Sequence, residues 1–135
     1  MKFFVSGKIG VEGDAKEVME ALRTAGHEIT FDWTAVEHLK PYDEKAEACR
    51  MAAVVDVSGV KEADVFVIIP HERGIGMYIE LGIAINSEIP IRVVVNSWLK
   101  SCTRFLYHPL VKRVSGVQEI IEEFSEELID ETETR

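Results

Sequence analysis

Cysteine is scarce in this chain. Its 135 residues include two, Cys49 and Cys102, which form neither a close pair nor a metal-ligand spacing. That argues against a disulfide framework or a thiolate metal site, and a reduced, cytoplasmic protein is the simplest expectation. The four histidines are scattered and suggest no metal site. Positive charge is also in deficit. There are 15 Lys and Arg against 24 Asp and Glu, a net charge of −9. This balance speaks against a nucleic-acid polymer or an anionic membrane surface as partner. No run approaches the ~18 apolar residues of a membrane-spanning helix. The opening Met1-Lys-Phe-Phe-Val-Ser-Gly7 is too short for a signal peptide and fits a first strand. No internal repeat, low-complexity linker or domain boundary is visible, so a single domain over 1–135 is expected. Part of the acidity is local, in Glu119 to Glu133, and the end from about Asp130 is expected to fray.

What is present is a hydrophobic content of 47%, enough for a real core. Apolar runs alternate with helical periods. Strands are expected at Lys2 to Ser6, His27 to Trp33, Asp64 to Ile69, Ile91 to Asn96 and Val111 to Val114. Helices are expected at Glu12 to Ala25, Glu44 to Glu62, Gly76 to Ser87, and from a Ser115 cap to about Ile129. This alternation predicts right-handed βαβ units and an α/β, flavodoxin-like, doubly wound sheet of five parallel strands in the order 2-1-3-4-5. Ligands in such sheets bind beyond the carboxyl ends of the strands, at the switch point between strands one and three. The loops there are Ser6 to Gly10 and Pro70 to Gly76. Their glycines allow backbone N–H groups to approach a ligand. Neither loop is a dinucleotide fingerprint, and no phosphate loop of the G-x-x-x-x-G-K-[ST] type occurs.

Two carboxylates stand out. The helix after strand three is apolar nearly throughout from Met77 to Ile85 and is expected to be buried on most sides; Glu80 interrupts it. A buried charge is costly and usually has a partner or a task, and the nearby helix N-terminus favours its ionised form. The alternative is a solvent-facing Glu on an amphipathic helix. In the preceding helix, Cys49, Ala53, Asp56, Val60 and Ala63 form one stripe at helical period, with Asp56 in its middle. Asp56 fits either a structural role, pairing with a base or capping near Gly59, or a site shared with Glu80. Paired carboxylates are equipment for glycosidic-bond chemistry. Lys8 and Arg73 are basic residues in the two loops and fit either a bound phosphate or ordinary solvated charge. Trp33 and Tyr78 suit a stacked base or the core, and His71 is a weak candidate for orienting a ligand. Trp98, Phe105, Leu106 and Tyr107 cluster in a long connection and suggest a subunit contact.

Three segments resemble the nucleoside 2-deoxyribosyltransferase superfamily, which includes the 2′-deoxynucleoside 5′-phosphate N-hydrolases. They are Phe4-Val-Ser-Gly-Lys-Ile9, Asp56 followed by Ala63-Asp64-Val65, and Gly76-x-x-x-Glu80-Leu-Gly-x-Ala84. The resemblance spans about residues 2 to 96. It implies a flavodoxin-like fold and cleavage or transfer at the N-glycosidic bond of a nucleoside or nucleoside 5′-monophosphate. Glu80 would be the nucleophile of a covalent glycosyl-enzyme, and Asp56 would position the sugar or handle protons. Phe4, Ser6, Gly7, Lys8, Ile9, Arg73, Gly74 and Gly76 would bind substrate. No cofactor or metal is implied, and a homodimer or higher homo-oligomer is expected. The chain departs from the family at Phe4, where a Tyr is common, and at Gly74, where Asp or Ser occurs. Two rivals keep the fold without the chemistry: a nucleotide-binding or sensing module, and a structural oligomer with Glu80 in a subunit contact.

Overall fold

The computed structural model describes residues 1–133 of the chain. It contains one five-stranded sheet, all parallel, in the order 2-1-3-4-5. The strands are β1 (Lys2–Ser6), β2 (Glu28–Ile29), β3 (Val65–Ile68), β4 (Ile91–Val94) and β5 (Val111–Val114). The helices are α1 (Gly13–Thr24), α2 (Ala46–Glu62), α3 (Gly76–Asn86) and α4 (Val117–Glu133). The end expected to fray from about Asp130 includes residues 134–135, which lie outside the described residues.

The central strands are apolar on both faces because helices cover both. Phe3, Val5, Val65 and Val67 pack against α1 and α4, through Met19, Leu22, Ile120 and Phe124. Phe4, Phe66 and Ile68 point the other way, against Val60 of α2 and Met77, Leu81 and Ala84 of α3. The period of two along β1 therefore turns Ser6 toward the same side as Phe4, under α2 and α3.

Helix length matters for the site. The 17 residues of α2 span about 25 Å, whereas the five residues of β1 span about 17 Å. The end of α2 is tied to the sheet through buried Gly59 and Val60. Its beginning therefore overhangs the carboxyl ends of the strands. This explains why the expected inward stripe splits: Val60 and Ala63 are buried, Asp56 and Cys49 are half-buried, and Ala53 is exposed.

Three other expectations are corrected. The second strand is two residues long rather than seven. Asp32 ends it by accepting a hydrogen bond from the Thr34 backbone N–H at 3.0 Å, and Trp33 turns inward to donate from Nε1 to the Val5 carbonyl at 2.7 Å. Helix α3 is not buried on most sides, since Ile75 at its cap is 78% exposed and Ile79 is 62% exposed. Ser115 does not cap α4 as an acceptor; its hydroxyl and backbone N–H both donate to Glu119. In the long connection Leu106 is buried, while Trp98, Phe105 and Tyr107 remain exposed, so the aromatic cluster is split.

Candidate active site

Two adjoining cavities open at the carboxyl ends of β1 and β3. The first, about 320 Å³, is walled by Gly7, Lys8 and Ile9 after β1, and by Arg73, Gly74 and Gly76 after β3. Asp56 of α2 and Glu80 of α3 close its inner side. The structure thus gathers eight of the residues named from sequence around one space. The remaining two, Phe4 and Ser6, are fully buried. Phe4 is a core residue rather than a wall: its ring stacks on Phe66 with centroids 5.9 Å apart. Ser6 works from behind the wall, donating its hydroxyl to Glu80 Oε1 at 2.6 Å.

Glu80 sits one turn into α3, on the side facing the β1 end. Burial pushes its carboxyl up to about 8; the Ser6 hydrogen bond opposes this and the Asp56 charge adds to it. Burial alone pushes Asp56 up to about 6. The helix N-terminus favours the ionised form by about 0.3–1 kcal/mol, and burial pushes the other way. With these values Glu80 is mostly protonated and Asp56 mostly ionised at pH 7. Two carboxyls whose protons leave at well-separated pH form an acid–base pair.

The glycine loops are held in place locally. Gly10 has a φ of +99°, a conformation that favours glycine, and the turn closes with Val11 N–H donating to the Lys8 carbonyl at 3.1 Å. Glu12 Oε1 accepts the Gly10 N–H at 2.9 Å and also lies 2.8 Å from His38 Nε2, which ties this loop to the one after β2. After β3, the Pro70 carbonyl accepts from Asn96 at 3.0 Å, and Arg73 N–H donates to the His71 ring at 3.0 Å. A side chain at Gly59 would press on the Phe4 ring and Phe31 at 3.1 Å. That glycine lets α2 approach the sheet one turn after Asp56.

The second cavity, about 230 Å³, lies beneath the β2–α2 loop. It is more aromatic, with Phe31, Trp33 and Tyr42 in its wall, and Cys49 and Ala53 of α2 along one side. Ile9, Trp33, Lys40, Tyr42 and Asp56 line both spaces. Sequence reasoning missed Lys40 and Tyr42, which fall in a loop without periodicity and reach the site only because of where β2 ends. Trp33 lies where a planar group could stack. Tyr78 does not; its hydroxyl is 3.0 Å from the His71 carbonyl and 2.7 Å from Cys102 Sγ. His71 stacks against Trp98 with centroids 4.5 Å apart and stays outside both cavities.

The charge pattern is unusual for so acidic a protein. Lys8, Lys40 and Arg73 all line the first cavity. None of the three takes part in an ion pair among the described residues. Three cations beside two carboxyls, one of them largely neutral at pH 7, leave the cavity locally favourable to an anion. Among the described residues, no group of three or more His, Cys, Asp or Glu side chains is arranged to hold a metal ion, and no helix is long and apolar enough to cross a membrane.

No protein-family model matches the chain, and no curated protein matches it in sequence. Among solved structures, the fold is similar to that of a CMP N-glycosidase, BcmB, from Clostridium botulinum. The TM-score is 0.61 at 16% identity, over 93% of this chain and 99% of that one. It is also similar to a conserved protein from Enterococcus faecalis V583, with a TM-score of 0.58 at 14% identity, over 94% of this chain and 98% of that one. At such identities the likeness establishes a shared fold.

Proposed function

We propose that this protein cleaves the N-glycosidic bond of a nucleoside 5′-monophosphate, with Glu80 and Asp56 as its catalytic carboxyls. One observation carries the reading: a half-buried carboxyl, fixed by Ser6 and adjacent to a second carboxyl, faces a cavity lined by three cations and two glycine loops. The fold shared with a CMP N-glycosidase supports the same chemistry.

The first cavity suits the ribose phosphate. Lys8 and Arg73 supply charge-assisted hydrogen bonds, the glycine loops supply N–H groups, and the start of α3 adds its dipole. The second, aromatic cavity suits the base, with Trp33 as its stacking surface. The sugar then lies at the junction, with C1′ between Glu80 and Asp56. In the retaining version Glu80 loses its proton to solvent as substrate binds beside the cationic loops, then attacks C1′ to form a glycosyl ester as the C1′–N bond breaks and its electron pair leaves with the base. Water releases the sugar in a hydrolase; a second base releases it in a transferase. Asp56 holds the sugar hydroxyls or accepts the proton.

A second reading is a nucleotide-binding module without turnover. The observation that favours it is the Glu80 carboxyl, pushed up to about 8 and so protonated, a poor nucleophile, at neutral pH. A panel of nucleosides and 5′-monophosphates, with free base followed by chromatography, separates the two. Base release from monophosphates is expected, and addition of a second base tests transfer. Tight nucleotide binding with no base released would leave only the module.

The protein is further proposed to pair through α2 and α3. These neighbouring helices turn Met51, Val54, Ile75 and Ile79 outward, each more than 60% exposed. Helices of a free domain normally show charge there. Ile75 and Ile79 also rim the first cavity, so a second copy on this side would shelter it. Light scattering should give a mass above the 15.2 kDa of one chain. A Met51→Glu, Ile79→Glu double substitution should return it to a monomer.

A further inference from the structure

We propose that Lys40 is the leaving-group residue of this site: its ammonium faces the base as the glycosidic bond breaks and stabilises the negative charge that develops there. The inference rests on the N-glycosidase reading and deepens it. Lys40 is a wall of both cavities, whereas Glu80 touches only the first, the sugar side. The ammonium lies 5.7 Å from the centroid of the Tyr42 ring, and Tyr42 is itself shared by both spaces. Lys40 is thus an exposed side chain shared by the two cavities and next to Tyr42, where the N-glycosidase reading puts the bond between base and sugar. Among the described residues, Lys40 has no acidic partner in an ion pair. Its near neighbours Glu37 and Lys45 pair with each other across the loop at 3.9 Å. Glu12 is engaged by His38 and the Gly10 N–H. The charge of Lys40 is thus left for a ligand.

The chemistry needs such a group. When the C1′–N bond breaks, its electron pair goes to the base nitrogen while a Glu80 oxygen bonds to C1′. The base departs as an anion unless a proton or a cation meets it. Asp56, the other charged residue that lines both cavities, is pushed up only to about 6 and is mostly ionised at pH 7, so it repels that charge. Lys40 supplies the opposite sign at the junction, by the same logic that places donors where charge develops in a transition state. Water then completes the balance: its hydroxide equivalent goes to C1′ as Glu80 is released, and its proton goes to the base.

The test varies the leaving group. The probes are two pairs of 5′-monophosphates, each in ribo and 2′-deoxy form: uridine against 5-fluorouridine, and guanosine against 7-methylguanosine. The second member of each pair has a base that departs more easily, as a weaker base or as a neutral molecule. Lys40→Ala is expected to lower kcat by about 100-fold for the poor leaving groups. The loss should be much smaller for the good ones, with KM little changed and partial recovery in Lys40→Arg. An equal loss across each pair, or a rise in KM alone, would assign Lys40 to phosphate binding and overturn the proposal. If the wild type releases base from none of the probes and from none of the wider panel of nucleosides and 5′-monophosphates, cytidine and adenosine included, the N-glycosidase reading itself falls, and the role of Lys40 with it. Circular dichroism of Lys40→Ala checks that the loop change leaves the fold intact.

Discussion

Glu123 and Glu80 are both carboxylates set into the inner side of a helix, on opposite faces of the same sheet, and they meet opposite fates. On the α1/α4 face, Glu123 of α4 meets Arg92 of β4, whose Nε donates to it at 2.9 Å. The guanidinium is nearly buried and also lies over the Phe124 ring at 5.3 Å. Lys112 approaches the same carboxyl at 3.6 Å. The Arg92 hydrogen bond holds Glu123 below the usual carboxylate range. On the α2/α3 face, Glu80 has a serine hydroxyl and another carboxyl as neighbours, and it is driven up instead. The first arrangement is a paired charge that fastens a helix to a strand. The second is a carboxyl raised by burial beside a cavity, a combination that functional sites share. The helix surfaces follow suit: α1 shows Lys16, Glu17, Glu20 and Arg23 to solvent, while α2 and α3 show Met51, Val54 and Ile79.

The contrast can be broken most sharply at Glu80. Glu80→Ala should lower base release by several orders of magnitude, because loss of a nucleophile is rarely compensated. It should leave the fold intact, since it removes a half-buried carboxyl whose charge is costly there. Turnover at the wild-type rate in a folded Glu80→Ala would end the assignment.

The pH dependence sharpens the comparison and distinguishes the two possible roles of Glu80. As nucleophile it must ionise, so kcat/KM should rise with pH and level off above about 8. As general acid it must stay protonated while Asp56 is ionised, giving a bell between about 6 and 8. Stability follows the same titration. The folded-state value of Glu80 lies above its ordinary 4.5, so its contribution is fully present below that pH and is lost as pH rises through about 8. Glu80→Gln keeps an acceptor for Ser6 and does not ionise. It should be more stable than the wild type at pH 9, by on the order of 3 kcal/mol, with little difference at pH 4. Equal melting temperatures at pH 9 would mean that Glu80 is not desolvated.

Arg92→Ala tests the other face. Removing one partner of a buried pair leaves the other unpaired. Because solvent reaches Glu123 and Lys112 stays close, about 2 kcal/mol of destabilisation is expected, measured by denaturant unfolding, with kcat unchanged. A loss of activity without a loss of stability would undo the division between the two faces. The smallest effect is expected at Gly59→Ala. Its methyl group would meet Phe4 and Phe31 at 3.1 Å and push α2 outward, at a cost of about 1 kcal/mol. Since Asp56 lies one turn away on the same helix, activity should fall more than stability does.

Much of this was legible in the amino-acid order. The strand and helix periods pointed to an all-parallel sheet covered on both faces, and the common flavodoxin-like order 2-1-3-4-5 is the one the structure has. That order placed the Gly7–Gly10 and Arg73–Gly76 loops side by side, and the interruption at Glu80 marked the helix beside them. What only the tertiary structure decided depends on distances between segments far apart in the chain. Phe4 went to the core and Ser6 to Glu80 because strand faces alternate and α3 crosses above the end of β1. Burial raises the Glu80 carboxyl, an effect that depends on what packs around it and not on its place in the helix. Lys40 and Tyr42 became walls of the site because β2 stops after two residues and its loop folds back over the cavity. Local periodicity encodes which residues face a core. It carries no information about where an irregular loop comes to rest, since that is set by what the rest of the fold leaves uncovered.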